Sequence, residues 1–475
     1  MTVSLVEQNY IDFLKIIEKE SAEYSTLSNT LLKKELGQFF TDSSVAKYMS
    51  NLFDFNISID KKIELLDCGA GHGILSIALL YRLVVKGYRN IDLTLYEIDE
   101  NVVETLENNL NFFAKKHTKL KLSYKIIKKN FILDEHNKKF DYIISNPPYF
   151  KINKNDKEAQ LMEYVVHGQP NIYMLFMAKS NELLKENGEM VFITPRSFTS
   201  GNYFKKFREY LLNAVSLTHI HTFQSRKKHF KNENILQETV ITKYTKAKNS
   251  TLIITSSEAS SFDNITTLSV NRELVIEKNR MIIGIPTSKE ELNLLKVFSR
   301  AKLTLKDMGY KISTGKVVPF RAKEFIETER TLKNHVPLLW MQNFKKEQVI
   351  FPLKSKKEQY IEQRKETGNL LIPKNNYLII KRFSSKEQHR RVNIGYIFKD
   401  DFSDNYLGLE NHLNYLYRKD RDLKKEEMQE LGLFLTSKEV DQYFRIFNGN
   451  TQVNATDILT LPVPISLYKG YKCQD

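Results

Sequence analysis

The stretch ELLDCGAGHGILSIALL, residues 64–80, sets one apolar run, ending in Asp67, against a second that begins at Ile74. Between them Gly69, Gly71 and Gly73 stand at alternate positions. Glycines there let the chain turn tightly after a strand and approach a ligand closely, with the amides of a following helix pointing at it. The spacing is GxGxG, so neither the dinucleotide fingerprint nor the Lys-Ser/Thr of a phosphate loop is present. His72 reads as an ordinary member of the loop. The next strand-like run, LTLYEIDE (93–100), carries Glu97 at its end, placed to accept hydrogen bonds from two ribose hydroxyls. A glycine turn alone, or an acid alone, is a common structural feature. In the series strand, GxGxG, helix, strand, acid they point to a nucleoside cofactor.

Working outward, the same alternation runs from about Ile63 to Lys243. KKIELLDC (61–68), IDLTLYEID (91–99), LSYKIIKK (122–129), FDYIIS (140–145), EMVFITP (189–195), LTHIHTF (217–223) and LQETVITKY (236–244) read as strands. GILSIALLYRLVV (73–85), ENVVETLENNLNFFAKK (100–116) and NIYMLFMAKSNELLKEN (171–187) read as helices. This predicts an α/β, Rossmann-like sheet, mostly parallel with helices on both faces. One antiparallel strand is expected, because no long helix separates the last two strands. Residues 251–286 are polar and β-leaning without the alternation. The expected division is 1–250 for the sheet domain, 251–285 for a connecting segment and 286–475 for a C-terminal α+β domain.

FDYIIS runs into Asn146-Pro147-Pro148-Tyr149. Two prolines remove two backbone donors and stop the strand. A planar amine such as the exocyclic N6 of adenine is a poor nucleophile, because its lone pair is delocalised into the ring. Two carbonyl acceptors facing its hydrogens, the Asn146 side-chain oxygen and the Pro147 backbone oxygen, would draw that nitrogen toward tetrahedral geometry. Rigid prolines hold both oxygens in place, a form of electrostatic preorganisation. The Tyr149 ring offers a surface for a base rotated out of a duplex. The bland reading is a Pro-rich strand stop with an Asx-type turn. The position after the glycine loop and the acid favours the chemical one.

The chain has 475 residues, 41% hydrophobic and 27% charged, enough for two or three domains with real cores. A formal charge of +15 favours a polyanionic partner, most simply nucleic acid, although a Lys-rich surface alone could produce it. The two cysteines, Cys68 and Cys473, give no disulfide framework and no metal-ligand spacing, so no metal is expected and the cytoplasm is the expected compartment. No stretch has the length of an apolar membrane span, and the expected oligomeric state is a monomer.

These motifs resemble the gamma-class amino-methylating DNA methyltransferases, the adenine-N6 enzymes of restriction–modification systems, over nearly the whole chain. KKELGQFFTDSSVAKYM (33–49) is similar to that family's N-terminal cofactor motif, which implies that Gln38, Phe39, Phe40 and Thr41 border the methionine end of S-adenosylmethionine. Asp67 with Gly69, Gly71 and Gly73 matches the glycine motif, and Glu97 the ribose-binding acid. KNFILDE (129–135) stands where the family has Asp-Phe: Asn130 replaces the acid that contacts the cofactor's amino group, and Phe131 remains. Asn146 to Tyr149 match the catalytic motif, with Asn146 also bordering the cofactor. FQSRKKHFKNENILQETVI (223–241) is similar to the segment whose aromatic stacks on the flipped base from the other side; Phe230 is preferred to Phe223 by its distance from the next strand. The C-terminal phrases PLLWMQNF (337–344) and GLENHLNYLY (408–417) are similar to target-recognition regions. The resemblance implies double-stranded DNA as substrate.

In the C-terminal half, Lys381, Arg382, Arg390 and Arg391 are the expected DNA contacts, mostly to phosphates. Gln342 and Asn343 are candidates for adenine edges, and Trp340 for a core anchor. Two other readings stand beside this one: a methyltransferase acting on ribosomal RNA or a release-factor glutamine, and a DNA-binding protein that kept a dead methyltransferase fold. The long basic C-terminal half disfavours the first and the intact Asn146–Tyr149 with Glu97 the second. Cytosine-C5 chemistry needs a Cys nucleophile after Pro, a setting neither cysteine has. No segment offers a nuclease site, so any cleavage would fall to a separate cognate endonuclease.

Overall fold

The computed structural model describes residues 5–27, 40–223, 238–258, 260, 262–277, 281–384, 388–447 and 452–468. The chain forms two compact units, residues 1–289 and 290–475.

The first unit is built on a nine-stranded sheet. Its strands are β1 (Ile63–Asp67), β2 (Asn90–Tyr96), β3 (Lys121–Ile127), β4 (Phe140–Ser145), β5 (Leu184–Pro195), β6 (Ser216–Phe223), β7 (Thr239–Thr245), β8 (Thr251–Ser257) and β9 (Thr266–Asn271). They lie in the order β3-β2-β1-β4-β5-β7-β6-β8-β9. The six residues of β4 are all buried, as a strand covered on both faces must be. β1 pairs in parallel with β2 on one side and β4 on the other, with Asp67 level with Ile144. This is where the strand order reverses. The loops leaving β1 and β4 therefore emerge side by side at the carboxyl edge, where open α/β sheets bind ligands.

β7 runs antiparallel between β5 and β6, as expected for a single reversed strand. β9, paired with β8, is a second one. It arises from residues 251–271, which extend the sheet where a connection was expected. β9 is the sheet's edge strand, so its exposed residues Thr266, Thr267, Ser269 and Asn271 are polar. The helix expected over 171–187 stops at Leu183, because Leu184 already pairs with Phe140.

Helices α1 (Leu5–Leu27), α2 (Ser43–Asn51) and α3 (Ile74–Val85) pack on one another beside the sheet. α1 turns Tyr10, Leu14, Ile17 and Ser21 inward at helical spacing, and Tyr10 stacks on Tyr81 at 3.6 Å. α1 also reaches the glycine loop. Ser21 donates to the Ile17 carbonyl (2.8 Å), so its oxygen accepts from His72 Nδ1, 3.1 Å away. Asn109 on α4 (Glu100–Lys116) donates to the His72 carbonyl. His72 is thus a buried tie between the loop and two helices, not an ordinary loop residue.

The second unit has a four-stranded sheet in the order Lys311–Thr314, Leu413–Tyr417, Tyr377–Lys381, Ile394–Ile397, and a five-stranded one that includes His335–Leu339 and Tyr406–Leu409. Helices Lys425–Leu435 and Lys438–Phe447 follow the strands. Trp340 anchors a cluster with Val317, Ile361 and Leu371, its indole N–H on the Glu358 carbonyl. No described helix is long and apolar enough to cross a membrane.

Burial lowers the His72 pKa to about 4, whereas an unfolded histidine titrates near 6.5. The unfolded chain takes up this proton first as pH falls. His72 therefore removes stability between about pH 6.5 and 4, on the order of 3 kcal/mol across the window. Asp67, raised to about 7 by burial, acts in the opposite sense. The measurement is accordingly a comparison: His72→Asn should show a flatter fall in denaturant-unfolding stability from pH 6.5 to 4 than the unsubstituted protein.

Candidate functional site

The carboxyl edge between β1 and β4 opens into a cleft of about 940 Å³, lined among others by Phe40, Gly69, Gly71, Glu97, Phe131 and Asn146. Gly71 and Gly73 have φ of +52° and +87°. A side chain at Gly73 would also meet the Leu106 Cδ1 at 2.6 Å, so the turn requires glycine there. The Gly71 N–H donates to Glu97 Oε2 (2.7 Å) and the Asp99 N–H to Oε1 (2.8 Å). Burial pushes the Glu97 carboxyl above its usual range, against these two donors that favour the charged form. Each oxygen keeps a lone pair for a ligand hydroxyl.

Asp67 is wholly buried and does not line the cleft. It accepts from Ser76 Oγ (2.7 Å) and from the Gly69 N–H (3.4 Å), so it holds the loop's shape from behind. Gly73 likewise caps α3 outside the cleft wall. Beyond Glu97, Ile98 is 53% exposed and lines the cleft together with Phe131, Ile172 and Phe176. An isoleucine directly after the acid that follows β2 is the only mark of this apolar slot in the sequence, and its exposure shows only in the fold. Asn130 lines it too, but its carbonyl accepts from the Ile132 N–H (2.9 Å) and the Leu133 N–H (3.4 Å), capping a turn. Its amide donates to Glu158 Oε1 at 2.7 Å.

At the Asn-Pro-Pro-Tyr turn, Asn146 Nδ2 donates to Thr41 Oγ1 (3.1 Å), while its Oδ1 accepts from the Tyr149 hydroxyl (2.6 Å). The same hydroxyl lies 2.9 Å from the Ile193 carbonyl on β5. One hydrogen serves both acceptors, so it can swing to Ile193 and leave Asn146 Oδ1 to another donor. Thr41 thus orients the Asn146 amide, while Phe40 packs against Gly71 and His72. Gln38, Phe39 and Phe230 lie outside the described residues. Phe223 is a core residue on β6 beside His221 and Phe262, not a cleft aromatic.

In the second unit a groove of about 1080 Å³ is lined by Met341, Gln342, Lys381, Phe383, Gln388, His389, Arg390 and Asn393. Gln342, Lys381 and Arg390, three of the expected DNA contacts, line it; Gln388 and Asn393 were not singled out, and nothing local marks them. Lys381 Nζ donates to the Phe344 carbonyl, and burial lowers its pKa. Arg382 is half-buried with its guanidinium on the Asn411 carbonyl, outside the groove. Two expectations fail. Arg391 is fully buried with Nη1 on the Ser384 carbonyl, so it cannot reach a phosphate from this position. Asn343 is fully buried as well: Oδ1 accepts from the Trp340 N–H (2.8 Å) and Nδ2 donates to the Ile350 carbonyl (2.7 Å), which makes it a turn cap. Among the described residues no cluster of His, Cys, Asp or Glu could hold a metal.

Residues 17–230 match the family model of the Eco57I restriction-modification methylase. Over 462 residues the chain is 36% identical to the Type II methyltransferase M.BsuBI of Bacillus subtilis, covering 94% of this chain and 91% of that one. It is 35% identical over 458 residues to the Type II methyltransferase M.PstI of Providencia stuartii, covering 93% and 89%. Among solved structures it is similar to the Type IIL restriction-modification enzyme MmeI in complex with DNA, with a TM-score of 0.52 at 13% identity over 98% of this chain and 67% of that one. That last likeness is one of fold.

The two adjacent amides of 342 and 343 should separate cleanly. Asn343→Ala strips partners from two main-chain groups and should cost about 1–3 kcal/mol in denaturant unfolding. Gln342→Ala, at an exposed position, should change stability by less than about 0.5 kcal/mol.

Proposed function

The chain belongs to the Type II methyltransferases of restriction–modification systems, and from that premise we infer that it methylates the N6 of an adenine flipped out of double-stranded DNA. The observation that carries this reading is Asn146, which lines the cleft together with Gly69 and whose side-chain NH2 donates to Thr41. S-adenosylmethionine, when bound, supplies a methyl group on an electrophilic sulfonium. The cleft residues fit it: Glu97 for ribose hydroxyls, Ile98 and Phe131 for a planar base, and the glycine loop with Phe40 at the opposite end.

The chain's own part in the reaction is positional and electrostatic. Asn146 Oδ1 and the Pro147 carbonyl accept the two amine hydrogens, which concentrates the lone pair on the nitrogen and stabilises positive charge as the new bond forms. The proline pair keeps both oxygens from retreating. Tyr149, its hydroxyl anchored on β5, offers its ring to the base. The base rotates out of its duplex at a cost of a few kcal/mol. A separate endonuclease and action as a monomer belong to the same reading. Relatives matched over more than nine-tenths of this chain carry its C-terminal half as well, which supports DNA over a release-factor glutamine or ribosomal RNA as substrate.

Incubation with methyl-labelled S-adenosylmethionine and genomic DNA, followed by base analysis, should recover N6-methyladenine within one sequence context. Asn146→Ala should lower the rate by about 100-fold or more, the range seen for loss of a preorganised polar group, and leave cofactor affinity within a few-fold. Label found on cytosine, or normal turnover by Asn146→Ala, would sink the reading.

In the groove of the second unit, Gln342, Gln388 and Asn393 are the proposed base readers, since carboxamides pair with adenine edges. Arg390, exposed and 3.7 Å from Glu347, is the proposed phosphate contact. Arg390→Gln should reduce the slope of log affinity against log salt by about one unit. Gln342→Ala should leave that slope unchanged while relaxing the methylated sequence at one position. Fluorescence anisotropy across a salt series and sequencing of methylated DNA test the two.

A further inference from the structure

The resemblance places an acid at residue 130 to receive the amino group of the cofactor's purine, and this chain has asparagine. The geometry denies Asn130 that role. Both lone pairs of its carbonyl are directed at backbone donors, Ile132 N–H and Leu133 N–H. Its remaining hydrogen-bonding end is an NH2, a donor that would face another donor.

We propose that Glu158, on the short helix Lys157–Leu161 after the catalytic turn, is the residue that recognises the purine amino group of the cofactor, with Asn130 as the residue that positions it. This rests on the reading that the cleft binds S-adenosylmethionine. Glu158 lines the cleft with Asn130, Phe131 and Ile98, at the apolar end past Glu97. Asn130 Nδ2 fixes Oε1 at 2.7 Å. Oε2 has no hydrogen-bond or ion-pair partner among the described residues. Lys129, the one cation on that wall, is paired with Asp134 at 2.8 Å instead. The other carboxylate of the cleft, Glu97, has both oxygens on backbone amides of the glycine loop and of Asp99. Glu158 is therefore the cleft carboxylate with a whole oxygen to spare, and half-burial keeps it strong without stranding a charge. Cofactor recognition then depends on the segment that leaves the catalytic turn, so a bound purine would tie that segment to the sheet.

The test compares equilibrium binding of S-adenosylhomocysteine with its 6-oxo analogue, S-inosylhomocysteine, which presents an acceptor where the amino donor was. The unsubstituted protein should prefer the adenosyl ligand by on the order of 10- to 100-fold, the range for one charge-assisted hydrogen bond. In Glu158→Gln, whose new amide can donate to the 6-oxo group, the preference should collapse to within about 3-fold. Gln160→Ala, an exposed position on the same helix, should leave both affinities unchanged. Equal weakening of both ligands in Glu158→Gln, with the preference intact, would overturn the assignment and leave Glu158 a support for the Asn130 turn. If the unsubstituted protein binds neither ligand, the cofactor reading itself fails, and that outcome is distinguishable from the other.

Discussion

A single carboxamide, Asn146, is held at both ends by parts of the chain that are far apart in sequence. Thr41, from the N-terminal segment, takes its NH2, and Tyr149 shares a proton between its oxygen and β5. Because the amide has chemically distinct ends, the Thr41 contact decides which way it faces. In the proposed reaction an oxygen aimed in advance need not reorganise when an amine arrives, which is what electrostatic preorganisation means. The arrangement explains why the N-terminal helices are part of the sheet's core. If α1 and α2 did not pack on α3, Thr41 would have no fixed position and Asn146 no fixed orientation.

The same economy shapes the cofactor end. β1 and β4 are neighbours only because the strand order reverses between them, and the reversal brings the glycine loop to the Asn146 backbone, whose oxygen lies 3.7 Å from where a Gly69 Cβ would stand. Asp67 and Glu97 then divide the work. Asp67 is sealed beneath the loop and fixes its backbone; Glu97 sits above and shares itself between loop amides and the cleft. Both carboxyls are raised by burial, which is tolerable because each is met by donors already in place.

Motifs whose chemistry demands a residue type at a fixed spacing were readable in the sequence: the glycines, Glu97, Asn146 to Tyr149, and the strand alternation around them. What the sequence hid is what depends on burial or on distant partners. Asn343 and Arg391 look like DNA contacts in WMQNF and QHRRV, yet one caps a turn and the other is interior. Asn343 bonds the nearby main chain at 340 and 350, a use asparagine favours in turns, and that leaves it no amide for an adenine edge. His72 resembled a spare loop residue because its partner Ser21 lies on α1, outside any motif. Glu158 has no local signal either, since only the fold brings it to Asn130.

The groove of the second unit shows why a charge of +15 is a poor map of the contacts. Of the four basic residues marked by sequence density, one is buried, one is turned to a main-chain carbonyl outside the groove, and Lys381 is held by the Phe344 carbonyl with its pKa lowered. Arg390 is left as the exposed cation on a wall otherwise made of the held Lys381, three amides, an imidazole and two apolar side chains. Such a surface binds a phosphate backbone weakly, because affinity for it scales with the number of charges neutralised. It is well suited to base edges, where each amide offers a donor and an acceptor together. The division follows from desolvation. Cations that hold the backbone work best where water and counterions remain, and neutral amides are the groups that can be pressed against bases without stranding a charge.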